Sequence, residues 1–171
     1  MSSTPPGETS SSPRRPTAGD VELLALAQQF ELAARELYDL ALAAGDAQGD
    51  AGGALAVFTT IRENHDEYAS ALSASLGVAA PHVRDDATFE AMAADFDSAD
   101  AASVAAAAYE LESAAVANHL DFVGRFESAE AARVLTSLLL VESQHCTVLA
   151  DLAGNGSDLA ALLDNPAVGA S

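Results

Sequence analysis

Residues 134–154 read VLTSLLLVESQHCTVLADLAG. Ser128 is a good N-cap just upstream, and the GNG at 154–156 is a stop signal, so the spacing predicts one helix between them. At about 100° per residue, side chains three, four or seven apart share a face. Leu135 (or Val134), Leu138, Glu142, His145, Leu149 and Leu152 therefore form the buried stripe of this helix. A carboxylate and an imidazole stand in the middle of that stripe. A buried carboxylate without a partner costs several kcal/mol, and the usual remedies are an opposite charge or a metal ion. The fold and the function both turn on whether other helices send matching groups to the same level.

Three more long segments are set off by glycine-rich or polar punctuation. The first runs from about Asp20, read as its N-cap, to Gly45; the second follows GDAGG and ends at Gly77, a C-cap; the third runs from about Ala99 to Phe126. Between the second and third lies a connection with one proline, acidic turns and a short helix near 88–96. Each long segment is about 25 residues, or roughly 35–40 Å of helix. Four such helices, with the long connection at that point, predict an all-α four-helix bundle. Residues 1–18 read as a disordered tail, 19–154 as the bundle, and 155–171 as a short terminal helix (SDLAALLD) and tail.

The same periodicity separates inward from outward acids. In the first helix the stripe Leu24, Ala27, Glu31, Ala34, Tyr38, Ala41 passes through Glu31, leaving Glu22 and Glu36 outside. In the third it passes through Ala108, Glu112, Ala115, His119 and Phe122, with Glu110 pointing away. The second helix carries His65 and Tyr68 inward, while Glu63 and Glu67 face solvent, so it supplies no core carboxylate. A single inward Glu or His reads as a hydrogen-bonded core group, and His119 and Tyr68 are read that way. Several together, including a Glu–His pair one turn apart, must satisfy many buried charges at once. Carboxylate and imidazole donors together suit iron, manganese or zinc. The rival reading pairs His65, His119 and His145 with Glu31, Glu112 and Glu142 in a metal-free structural or binding protein.

Composition narrows the field. The 171 residues hold 26 acids against seven arginines and no lysine, a net charge of −19. Nucleic acid and anionic membranes need a basic patch that is missing, so neither is an expected partner. Most of the acids read as a solvated surface. No apolar run reaches the length of a membrane span. The Arg14–Arg15 pair is followed by acids rather than the apolar stretch of an export signal, so the expected location is cytoplasmic. Cys146 is a lone cysteine, read as a small core residue. There is no G-x-S-x-G, phosphate loop or paired CxxC, which removes hydrolase chemistry from contention.

The chain resembles the ferritin-like superfamily, in particular the bacterial ferritin-like domain proteins outside the storage ferritins. LALAQQFELAARELY is similar to the first helix of that group, with Glu31 and an aromatic at Tyr38; LESAAVANHLDFVG to the third, with Glu112; and VESQHCTVL to the fourth-helix Glu-x-x-His, giving Glu142 and His145. The second helix departs from the pattern: aligned on Leu72, His65 stands where the family has glutamate and Tyr68 where it has histidine. The resemblance implies a ferritin-like bundle with a partly degenerate non-haem di-iron site, holding one or two iron or manganese ions through Glu31, His65, Glu112, Glu142 and His145. In that arrangement Glu112, Glu142 and His145 hold one ion and Glu31 with His65 the other, with Fe(II) oxidation as the associated chemistry. Three carboxylates undercharge a pair of divalent ions, and imidazole is a poor bridge. The resemblance therefore implies metal binding more firmly than oxidase chemistry. Nothing in the sequence marks a cage contact, so the expected assembly is a monomer or homodimer.

Overall fold

The computed structural model describes residues 15–48 and 53–158. Within them every regular element is helical: α1 (Ala18–Gln48), α2 (Ala54–Leu76), α3 (Asp86–Phe96), α4 (Ala101–Arg125) and α5 (Ala129–Ala150), with a 3₁₀ turn at Gly77–Ala79 and a π turn at Asp151–Asn155. The alanine content explains much of this, since Ala is the strongest helix former and lets backbones approach closely. The terminal helix SDLAALLD expected near the C-terminus lies, but for its first two residues, outside the described residues. So does most of the expected N-terminal tail.

The helix ends correct the sequence reading at both ends of α1, which runs past the expected stop at Gly45 to Gln48. Asp20 is not the N-cap of α1. Thr17 takes that role: its hydroxyl accepts from Asp20 N at 3.2 Å, and the Asp20 carboxylate accepts from Thr17 N at 2.8 Å. This reciprocal pair is a capping box, which places the acid three residues inside the start rather than at it. Asp20 also accepts from Glu127 N at 2.8 Å, tying α1 to the turn between α4 and α5. Replacing Asp20 with alanine removes both bonds from a buried position. It is expected to cost about 1–2 kcal/mol in urea denaturation. A loss below 0.5 kcal/mol would mean that the tie is incidental. The other caps fall as the sequence predicts: Ser128 accepts from Ala131 N, and Gly77 closes α2 at a positive φ of 57°.

The buried apolar residues form two clusters. One holds Leu37, Tyr38, Phe58, Phe96, Leu111 and Leu149; the other holds Leu24, Leu72, Leu76, Leu135 and Leu138. Along α1 and α5 the chain passes from the second cluster to the first, and along α2 and α4 from the first to the second. α1 thus opposes α2 and α4 opposes α5, whereas α2 and α4 run the same way. The connection between them must return along the molecule, and it is fastened as it goes. Asp85 N donates to Gln29 O at 2.9 Å, His82 N to the Gln28 side chain at 3.1 Å, and Arg84 to Glu36 at 2.6 Å. α3 then inserts Phe96 edge-on against Tyr38, with centroids 5.4 Å apart. Between the two apolar clusters, at mid-height of the four long helices, lies a layer of buried polar side chains.

Candidate metal centre

Helical phase places that layer. Glu31 of α1, His65 of α2, Glu112 and His119 of α4, and Glu142 and His145 of α5 all sit on the inward stripes of their helices and are all buried. The five residues expected at the centre are brought together. His119, read from sequence as a core group, joins them as a sixth.

The contacts run as one alternating series. His119 Nδ1 donates to Glu142 Oε2 at 2.8 Å, and His119 Nε2 lies 3.4 Å from Glu31 Oε1. Glu31 Oε2 accepts from His65 Nδ1 at 2.7 Å, and His65 Nε2 donates to Glu112 Oε1 at 2.9 Å. Glu112 Oε2 accepts from His145 Nδ1 at 3.1 Å, and the Asn64 amide meets His145 Nε2 at 3.0 Å. Tyr38 OH donates to Glu112 Oε1 at 2.9 Å while its ring stacks on His65. The pairing differs from the expected one. Glu142 does not share a partner with His145: it turns to His119, and His145 turns to Glu112. Two trios result, Glu31–His119–Glu142 and His65–Glu112–His145. In each, the three residues offer ligand atoms within 4.8 Å of one another.

Tyr68 departs further from expectation. It is half-buried, with its ring edge-on to His65 at 5.9 Å, and stands at the margin of the layer. Asn64, a polar residue with no motif around it, occupies the contact with His145 instead. Its only signal was its place one residue before His65. Cys146 is buried beside Ser113, and burial pushes its thiol up to about 12, so it is inert packing as expected.

The electrostatics follow the contacts. Burial works against an ionised Glu112, but the His65 charge and the hydrogen bonds from His145 and His65 hold its carboxyl at about 2. Burial alone would drive the His65 imidazole down; Glu112 and then Glu31 reverse this and lift it well above its ordinary 6.5. His119 is lifted in the same sense, burial being outweighed mainly by Glu142. Glu142 goes the other way from Glu112. Burial, with the nearby charges of Glu31 and Glu112, outweighs His119 and raises its carboxyl to about 7. Like groups in one layer thus have their proton affinities pushed apart.

Whether the residues suit a metal ion is tested by their unused valences. Among the described residues, the buried side-chain atoms without a hydrogen-bond partner are Glu31 Oε1, His119 Nε2, Glu142 Oε1 and Arg35 Nε. Three of the four belong to one trio. Buried polar groups are nearly always satisfied, so three unfilled valences on convergent carboxylate and imidazole groups fit a cation. The network also approaches the surface. A groove of about 450 Å³ between α2 and α5, bordered by Val57, Ile61, Val141 and Val148, has Asn64 and His145 on its wall.

Fold and site together define an all-helical protein whose four long helices converge carboxylates and imidazoles in the core. A family model described as the ferritin-like domain matches residues 19–155, and the chain belongs to that family. No curated protein and no solved structure matches it. Among the described residues, no helix is long and apolar enough to cross a membrane.

Proposed function

We propose that this chain is a non-haem metal-binding protein that holds iron or manganese in the polar layer of a ferritin-like four-helix bundle. The bundle comprises α1, α2, α4 and α5, with α3 in the crossover between α2 and α4. The observation that carries the reading is the convergence of three carboxylates and three imidazoles, all buried, from four helices. Glu31, His65, Glu112, Glu142 and His145, joined by His119, are the donors from which an ion would draw its ligands. An iron ion held there would supply one-electron redox chemistry toward oxygen or peroxide. The chain's own part is to exclude water by the two apolar clusters, to hold the donors by helix packing, and to keep Glu112 ionised through Tyr38, His65 and His145.

A second reading has one observation in its favour: the alternation of carboxylate and imidazole satisfies most of the layer without any ion. The two are separated by stability. Under the metal reading, Mn(II) or Fe(II) at a hundredfold excess over its dissociation constant adds about 2.7 kcal/mol. For a chain of this size that raises Tm by roughly 6–10 °C, and a chelator reverses it. Replacing Glu142 with alanine abolishes both the bound metal and the rise. A wild-type protein that binds no metal anaerobically and is indifferent to chelator would leave the pairing network as the function of these residues.

A further inference from the structure

We infer that the layer holds a single divalent ion through Glu31, His119 and Glu142, and that His65, Glu112 and His145 form no second site. The inference rests on the metal reading above and departs from it in naming one ion and a ligand set centred on His119.

The two trios are alike in composition and opposite in saturation. In His65–Glu112–His145 every ring nitrogen and carboxylate oxygen is engaged. Glu112 Oε1 accepts from Tyr38 and His65, and Glu112 Oε2 from His145. His65 Nδ1 faces Glu31, and His145 Nε2 faces the Asn64 amide. An ion entering there must break bonds already made, in a dry core where each broken bond carries its full desolvation penalty. In Glu31–His119–Glu142 the opposite holds. Glu31 Oε1, His119 Nε2 and Glu142 Oε1 are each buried and unpartnered. His119 Nδ1 already donates to Glu142 Oε2, which fixes the ring and leaves Nε2 as the ligating nitrogen. Nε2 and Glu31 Oε1 stand 3.4 Å apart without hydrogen-bond alignment, so neither fills the other's valence.

The contacts of His65 agree. Both ring nitrogens of His65 face carboxylate oxygens, at 2.7 and 2.9 Å, so this side chain is engaged on both sides and offers no free valence to a second ion.

The test is a metal count on the full chain loaded anaerobically with Mn(II), with pulsed EPR to count coordinated imidazole nitrogens, and Co(II) absorption spectra of His119→Ala and His145→Gln. The expected result is one ion per chain with one imidazole on it, a Co(II) band lost in His119→Ala and kept in His145→Gln. Two ions per chain, or more than one imidazole on the ion, would overturn the inference and leave the metal reading standing. Loss of the band in His145→Gln with retention in His119→Ala would do the same. No ion bound by the wild type would overturn both. The wild-type count and EPR need no variant to fold; circular dichroism shows whether each variant does.

Discussion

Replacing His65 with leucine is expected to cost the metal-free protein about 3–5 kcal/mol at neutral pH, the penalty for leaving buried carboxylates without their counter-charge. His65 hydrogen-bonds two of them, Glu31 and Glu112, and its ring is fully buried against Tyr38. Its removal strands Glu31 Oε2 outright and leaves Glu112 with the Tyr38 hydroxyl and His145. Because the loss is electrostatic, it should be recovered by removing the charges as well. A triple variant with leucine at 31, 65 and 112 trades an ion-paired cluster for apolar packing and should regain most of the deficit, at the expense of the metal site. Tyr68→Phe, at the margin of the layer, should stay within about 0.5 kcal/mol of wild type. Urea denaturation in chelator reads all three. A His65→Leu loss below 1 kcal/mol, or a triple variant no better than the single, would refute His65 as the counter-charge.

The inward groups were legible in the sequence because inwardness is a local property. The helical period is fixed, so a residue on the stripe of its own helix faces the core whatever the other helices do. The period picks out Glu31, Glu112, Glu142, His145 and His65 and turns Glu63, Glu67 and Glu110 outward; these three acids are exposed. Partnership across helices is not local. It depends on axial level and rotation, which no single segment carries. Glu142 and His145 look like one unit because they are three apart, yet three residues turn the helix by about 300° and advance it by about 4.5 Å. That is enough to send one to His119 and Glu31 and the other to Glu112 and His65. His119 shares a face with Glu112, and a lone inward histidine is ordinarily a core group. Only its placement between Glu31 and Glu142 marks it as more. Asp20 shows the same limit: it caps Thr17 while Thr17 caps it, and which of the two begins the helix is settled only by their contacts.

The metal-free protein is expected to lose stability as pH rises from about 4.5 to 7, by an amount on the order of 3 kcal/mol. The group responsible is Glu142, raised by burial from its ordinary 4.5 to about 7. A carboxyl whose proton affinity is higher folded than unfolded favours the fold while it is protonated. That advantage is complete below 4.5 and gone once the folded group ionises near 7. His65 and His119 add to the same trend further up. Both are raised in the fold, so their contributions are fully present below the ordinary 6.5 and fade as pH climbs through their folded values. Glu112 supplies the acid limb: held at about 2, its contribution exists above 4.5 and is lost as pH falls toward 2. The metal-free optimum should therefore lie near pH 4–5, on the acid side of the usual range. Glu142→Gln cannot ionise, and its stability should be nearly flat between 4.5 and 6.5. Adding Mn(II) should reverse the wild-type slope, because the ion binds the ionised form and gains affinity as protons leave. The glutamine variant should show no such reversal. Denaturation midpoints at half-unit steps from pH 4 to 8, with chelator and with Mn(II), test both signs. A wild-type protein that becomes more stable with rising pH in chelator would mean that Glu142 is ionised without metal. In that case His119 would already be its counter-ion, and little driving force would remain for a cation to enter the layer.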